Sequence, residues 1–328
     1  MVTNLTLSQS IEGFLLEKRA QRLSPHTIAD YTNAYRKLAA WLDDAGTPDP
    51  PLASITVDQI RAFLAELGAV PQERPGVAPR PARPLSKKTI LNIHTALSAL
   101  WTWARAEGLA ERHIIHDVPR PKPEQRAIEP FTRDQIRDLL DACERSRPYS
   151  RPGKRTSDHA RPTALRDKAI VYLLLDTGLR ASELTALRCY DLDLKNQHVK
   201  VMGKGSKERI LPISPRTAKT LWRYLASDPD RTEGDPLFTS RLGRAYTPNG
   251  LLQMIRRLGD RAGVPHAHPH RFRHTFAITF LRNGGHVYAL QRILGHSTLD
   301  MVRRYLAIAQ ADVDQAHHTA SPVSNWRL

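Results

Sequence analysis

YDLDLKNQHVKVMGKGSKERILPIS, residues 190–214, breaks the rhythm of a chain that otherwise repeats its apolar residues every three or four positions. Here apolar and polar residues alternate, the period of a strand with one buried face. Lys195-Asn196 and Gly203-Lys204-Gly205-Ser206 interrupt the alternation with turn chemistry, so the stretch predicts three short antiparallel strands. Helical periodicity resumes on both sides. The expected fold is mainly α with one small antiparallel sheet in the second half of the chain.

Working outward, helices are expected at 132–146, 164–178 and from Arg180 on the N-terminal side of the strands. On the C-terminal side they are expected at 215–227, 247–263, 270–284, 286–295 and 297–310. The front of the chain predicts four more, at 7–20, from Ser24, from Thr56 and at 86–108. Ser24 is suited to cap the second of these and Pro25 to its first turn. A Pro/Arg-rich loop, Pro71 to Pro84, precedes the fourth helix. Four prolines and no periodicity mark 117–130 as a linker, which predicts one domain over 1–116 and another over 131–328.

The formal net charge of +16 exceeds what solubility requires and points to a polyanionic partner, with nucleic acid ahead of an anionic membrane surface. Lys87 and Lys88 in the front domain, and Arg151, Lys154, Arg155 and Lys207 in the second, are candidate DNA contacts. Arg151, Lys154 and Arg155 belong to a basic loop that also holds Arg145, Arg147 and Arg161, read equally well as a DNA contact or as a solvated insertion. The first twenty residues lack a secretory pattern, and no run of 18 apolar residues follows, so a soluble cytoplasmic protein is expected. Cys143 and Cys189 are too distant in sequence for a CxxC pair and read as reduced thiols.

The chemistry concentrates in HAHPHRFRHTF, residues 266–276. In a helix starting near Pro269, His270 and Arg273 share a face, and His274 lies one turn from His270. Zinc would want imidazoles without rival cations, and Arg271 and Arg273 sit inside the cluster. A phosphodiester wants a guanidinium fork beside an imidazole, so phosphate is preferred over metal. His266 and His268 read as ordinary loop residues. Taken alone, Arg180 in TGLRASEL reads as a partner of Glu183, Lys204 as the tip of a common basic hairpin, and Tyr305 as a core tyrosine.

Together and in this order, Arg180, Lys204, His270, Arg273, His296 and Tyr305 resemble the tyrosine recombinase family, the integrases and the Xer-type and Cre-like enzymes. The matching pieces are TGLRASEL, VMGKGSKERILPI, HPHRFRHTFA, LGHS and RRY, with the tyrosine nine residues after His296. The resemblance implies a helical core-binding domain in front of a catalytic domain. It implies that Tyr305 attacks a DNA phosphodiester to give a 3′-phosphotyrosyl link and that Arg180 and Arg273 clamp the phosphate. His270 and His296 then hydrogen-bond the phosphoryl group, with His270 accepting the tyrosine proton. Lys204 protonates the departing 5′ oxygen, ahead of its rival Lys207, and Glu183 orients the site. No cofactor and no metal are implied. Loops 71–84 and 145–162 are longer than in a minimal Xer-type protein, and Leu306-Ala307 replaces the Thr-His frequent after the tyrosine in such relatives.

The resemblance further implies double-stranded DNA with paired half-sites as partner, and a tetramer on that DNA, alone or with a related recombinase. A short amphipathic piece after the tyrosine, with Leu306, Ile308, Ala309 and Val313, suits docking on a neighbouring protomer or a frayed terminus. The competing functions are a DNA-binding regulator without strand cleavage and a metal-dependent nuclease. The first has no use for Tyr305 and Lys204, and the second lacks a carboxylate pair beside the histidines.

Overall fold

A computed structural model describes residues 4–70, 83–123, 129–145, 160–203 and 207–295, with residues 303, 305, 306, 321 and 323. The chain divides into two compact units, Met1–Arg126 and Ala127–Leu328. Among the described residues no helix is long and apolar enough to cross a membrane.

Among its described residues the first unit holds four α-helices, α1 (Leu7–Ala20), α2 (Pro25–Asp44), α3 (Val57–Ala69) and α4 (Lys87–Ala106). Each starts at a hydroxyl residue, Thr6, Ser24, Thr56 or Ser86, whose side chain accepts the backbone N–H three residues on. Such caps satisfy donors that the first turn leaves unpaired, at about 1 kcal/mol each. The helices close over Phe14, Tyr35, Leu38, Phe63, Leu97 and Trp101, all buried. The buried Tyr35 hydroxyl donates to the Ala96 carbonyl at 2.9 Å, so this polar group does not go unpaired in the core. Lys87 and Lys88 occupy the exposed first turn of α4. Residues 71–82 lie outside the described part of the chain.

The second unit contains α5 (Arg133–Glu144), α6 (Ala164–Thr177), α7 (Ala181–Ala186), α8 (Pro215–Ala226), α9 (Pro248–Ala262), α10 (Pro269–Arg282) and α11 (Val287–Leu294). The apolar run of α6 explains its place at the centre: Ile170, Val171, Leu173 and Leu174 are fully buried, and α5, α8 and α10 pack around it. Each such side chain contributes about 2 kcal/mol on leaving water. Helices α9 and α10 are joined through a close approach at Gly259, where a β-carbon would lie 2.5 Å from that of Ala267.

The alternating stretch forms the sheet β1 (Leu192–Asp193), β2 (His198–Met202) and β3 (Glu208–Pro212), in that order and antiparallel throughout. Val201 faces Arg209 and Val199 faces Leu211 across the pair, so Val199, Val201, Arg209 and Leu211 share the inner face. Lys200, Met202 and Ile210 share the outer one.

One basic residue departs from expectation. Arg161, grouped by sequence with the basic loop, turns inward and pairs with the fully buried Asp167 at 2.7 Å. It also donates to the carbonyls of Ala142 and Cys143. Arg166 pairs with Asp167 as well, at 2.7 Å, and the two arginines together offset the cost of taking this carboxylate out of water. Arg151, Lys154 and Arg155 lie outside the described residues.

Candidate active site

Three segments remote in sequence meet at the C-terminal end of α11. The first leaves α6 through Gly178, whose φ of +63° lies in the left-handed region. A side chain there would also collide with Phe276 and Leu294, at 2.6 and 2.9 Å from its β-carbon. The turn delivers Arg180 to the N-cap of α7. Having no acceptor of its own, the guanidinium cannot cap the helix; instead the Glu183 carboxylate reaches back and accepts the Arg180 backbone N–H at 2.9 Å. Arg180 Nη1 donates to the same carboxylate at 2.9 Å.

The second segment is the inner face of β3. Arg209 binds Glu183 with both terminal nitrogens, at 3.1 and 2.9 Å. Glu183 thus accepts four N–H groups. Burial pushes its pKa up, but the hydrogen bonds from Arg209 and the Arg180 backbone, with the charges of both arginines, outweigh burial and hold it below the usual value.

The third segment is α10, capped by His268, whose Nδ1 accepts the Arg271 backbone N–H at 3.1 Å. His268 is therefore a helix cap and not the ordinary loop residue expected. Arg271 turns away from the site, donating to the Glu129 and Pro265 carbonyls and stacking over Phe131. Arg273, 3% exposed, donates to the Gly178 carbonyl at 2.8 Å and to the Leu294 carbonyl at 2.8 Å. Burial, then the charge of Arg180, lowers its pKa to about 10, which leaves it charged at neutral pH.

The last carbonyls of α11 receive all three guanidiniums. Arg209 Nε takes Ile293 at 2.9 Å, and Arg180 shares Leu294 with Arg273, at 3.3 Å. A helix C-terminus leaves its final carbonyls unpaired and carries partial negative charge, which suits cations. The positive groups are thereby fixed beside Gly295, directly before His296.

Tyr305, 1% exposed, is helical and packs against Ala277, Ile278, Leu290 and Leu294. Its hydroxyl lies 2.9 Å from His274 Nδ1. The His274 ring stands one turn from His270, 6.4 Å between centroids. Desolvation, then the charges of His270, His268 and Arg273, lowers the His274 pKa to about 4. His270 keeps an exposed edge, yet partial desolvation followed by Arg273 and Arg180 lowers its pKa as well. Both imidazoles are neutral at neutral pH.

Of the residues expected at the site, Arg180, Glu183, His270, Arg273 and Tyr305 are described, and Lys204 and His296 lie outside the described residues. Lys207 is exposed at the base of the hairpin, where its carbonyl accepts the Gly203 N–H at 2.8 Å. Arg209 escaped the sequence reading, which placed His274 beside His270 but gave it no role. A signal existed for each: Arg209 sits at the inward parity of β3, and His274 one turn beyond His270. Among the described residues no three His, Cys, Asp or Glu side chains are grouped to hold a metal ion. The charge that faces His270 and His274 is that of arginines.

Residues 129–312 match the phage integrase family. The tyrosine recombinase XerC of Alcanivorax borkumensis is 30% identical over 324 residues, covering 97% of this chain and 95% of that protein. Among solved structures, the XerH site-specific recombinase bound to palindromic difH substrate in a post-cleavage complex superposes with a TM-score of 0.68 at 19% identity. That match covers 95% of this chain and 84% of XerH. A lambda integrase dimer bound to a COC′ core site gives a TM-score of 0.66 at 18% identity, over 90% of this chain and 97% of that one. The family match spans more than half of the chain, and the alignment with a XerC runs nearly end to end. The chain therefore belongs to the phage integrase family of tyrosine recombinases.

Proposed function

We propose that this protein is a site-specific recombinase that cuts and rejoins double-stranded DNA through a 3′-phosphotyrosyl intermediate without a metal ion. The observation that carries the reading is the convergence of Arg180 and Arg273 on one carbonyl, that of Leu294, a residue of the cluster in which Tyr305 packs. Arg180 and Arg273 clamp the non-bridging oxygens and offset the charge that develops on phosphorus. Tyr305 is the nucleophile: its oxygen bonds to phosphorus as the bond to the 5′ oxygen breaks. Lys204 gives the departing oxygen a proton, and a 5′ hydroxyl attacking the phosphotyrosine reverses the step and frees the phenol.

His270, neutral at physiological pH, accepts the phenolic proton, and His296 hydrogen-bonds the phosphoryl group. His274 is a poor base at about 4, which suits it to hold the phenol rather than to take its proton. Glu183 orients Arg180. Two guanidiniums supply the positive charge that a divalent cation provides in other phosphoryl-transfer sites, and the imidazoles supply hydrogen bonds and a proton acceptor.

The first unit acts as a core-binding domain, with Lys87 and Lys88 following the DNA backbone, and Lys207, Arg151, Lys154 and Arg155 contact DNA from the second. The XerH and lambda integrase complexes with their DNA sites support this partner. Four protomers act on two duplexes in the cytoplasm, at the nucleoid. The test is to incubate the protein with sheared DNA of its own host in EDTA, trap adducts with denaturant, and sequence the DNA. Tryptic digestion should leave the nucleotide on the peptide that begins at Tyr305. Adducts on another residue, or activity that chelation abolishes, refute the reading.

A further inference from the structure

Arg209 spends its fork on two catalytic elements at once. Both terminal nitrogens bind Glu183, and Nε binds the Ile293 carbonyl at the end of α11. The guanidinium is wedged in place: a β-carbon on Gly203 would lie 3.2 Å from it and one on Gly295 3.3 Å. Glu183 also holds Arg180 by its backbone and its side chain. One carboxylate thus faces two arginines, with Arg273 alongside.

The charge count follows. Arg180, Arg209 and Arg273 against Glu183 leave a surplus of two positive charges at the place where a phosphate is to bind. Without Arg209 the carboxylate keeps only Arg180 as ion-pair partner among the described residues, and the surplus falls to one. An arginine neutralised by a 2.9 Å ion pair in a part-buried site has little attraction left for a second anion.

We propose that Arg209 is a positioning residue of the recombinase site: by sharing Glu183 and gripping the end of α11, it keeps the charge of Arg180 available to the scissile phosphate. The proposal rests on the phosphodiester reading above. Arg209 itself need not touch DNA. Its effect runs through Glu183, so removing Glu183 as well should undo part of the damage, because the surplus returns to two.

The test uses the full-length protein and a duplex carrying the DNA sequence trapped by the wild type, nicked beside the cleavage position so that the adduct accumulates. Single-turnover adduct formation is measured at saturating DNA for the wild type, Arg209→Gln, Glu183→Gln and the double variant, with thermal midpoints in parallel. Arg209→Gln should slow the step by about 10²-fold, the lower end of the loss for one transition-state donor. DNA affinity should stay near that of the wild type, and the double variant should be about tenfold faster than Arg209→Gln alone, a coupling that only neighbours acting through each other produce. A residue that merely stabilised the fold would give a double variant slower than either single one, and that result overturns the proposal. So does an Arg209→Gln rate equal to the wild type's. Should Arg209→Gln not fold, Arg209→Met carries the same comparison, because it too removes the charge: a slowed rate that Glu183→Gln partly restores supports the role, and a wild-type rate overturns it. A wild type that forms no adduct defeats the reading of function itself, and this inference with it.

Discussion

Replacing Tyr305 by Phe removes one oxygen and leaves the ring that packs against Ala277, Ile278, Leu290 and Leu294. The oxygen makes a 2.9 Å hydrogen bond to His274 Nδ1, and such a bond contributes about 1 kcal/mol net. Its loss leaves the imidazole nitrogen unpaired, but the His274 ring is only part-buried and can turn that nitrogen to water. The total cost is therefore about 1–2 kcal/mol, which lowers the melting temperature of a unit this size by a few degrees, at roughly 2–4 °C per kcal/mol. Catalysis should respond out of all proportion, because without the phenol no phosphotyrosine can form. The assay is adduct formation on the nicked duplex, read by denaturing electrophoresis, beside a binding titration and a thermal scan. The expected outcome is normal DNA binding, a small thermal shift and no adduct. An adduct at the wild-type level would refute the assignment and turn attention to Tyr288, 59% exposed on α11.

Arg273→Ala should slow cleavage by about 10²–10³, the scale for one transition-state donor, with Arg273→Lys restoring only part because a point charge cannot reproduce the fork. The same change orphans the Gly178 carbonyl, while Leu294 keeps its bond from Arg180, so stability should fall by about 2–4 kcal/mol, measured by urea titration. Acid should destabilise the second unit before any carboxylate titrates. The His274 pKa drops from 6.5 to about 4 on folding, so the unfolded chain takes up the proton first. Stability is full above about pH 6.5 and declines toward pH 4, by at most about 3 kcal/mol from this residue. His268 and His270 shift in the same direction, and Arg273, His270 and Tyr305 around the ring do not reverse the sign. A higher urea midpoint at pH 5 than at pH 7 would contradict this. DNA affinity should fall steeply with salt, and Lys87→Ala, Lys88→Ala or Lys207→Ala should each reduce the log–log slope by about one.

Local physics made most of the elements legible. Ser24 caps α2 with Pro25 in its first turn, Gly178 ends α6, and the alternation after Tyr190 becomes a three-stranded sheet with Gly203 and Lys207 closing the hairpin. The pairing of Arg180 with Glu183 was legible too, since three residues along a first turn bring the groups together. What stayed hidden depends on distant contacts. Nothing near Arg209 in the sequence names Glu183 or Ile293 as its partners, and nothing near Tyr305 names His274. The resemblance marked His270 as the imidazole of interest, and only packing reveals that the ring one turn further along meets the phenol. Arg161 misled for a related reason: its neighbours in sequence are other basic residues, while its partner Asp167 is set by the start of α6.

The pleat of β3 has a consequence for how this lineage can vary. Arg209 faces inward because it is paired with Val201, and its neighbour Ile210 faces solvent. Sliding β3 by one position against β2 would turn the guanidinium to the outside and drive Ile210 or Glu208 against Glu183. A change in the length of this hairpin leaves every rung of the ladder in place only at the tip beyond the Gly203–Lys207 closure, and there it has to spare Lys204, the proposed acid. A single deletion lower down shortens the protein by one residue and exchanges a cation for an alkyl chain beneath Arg180.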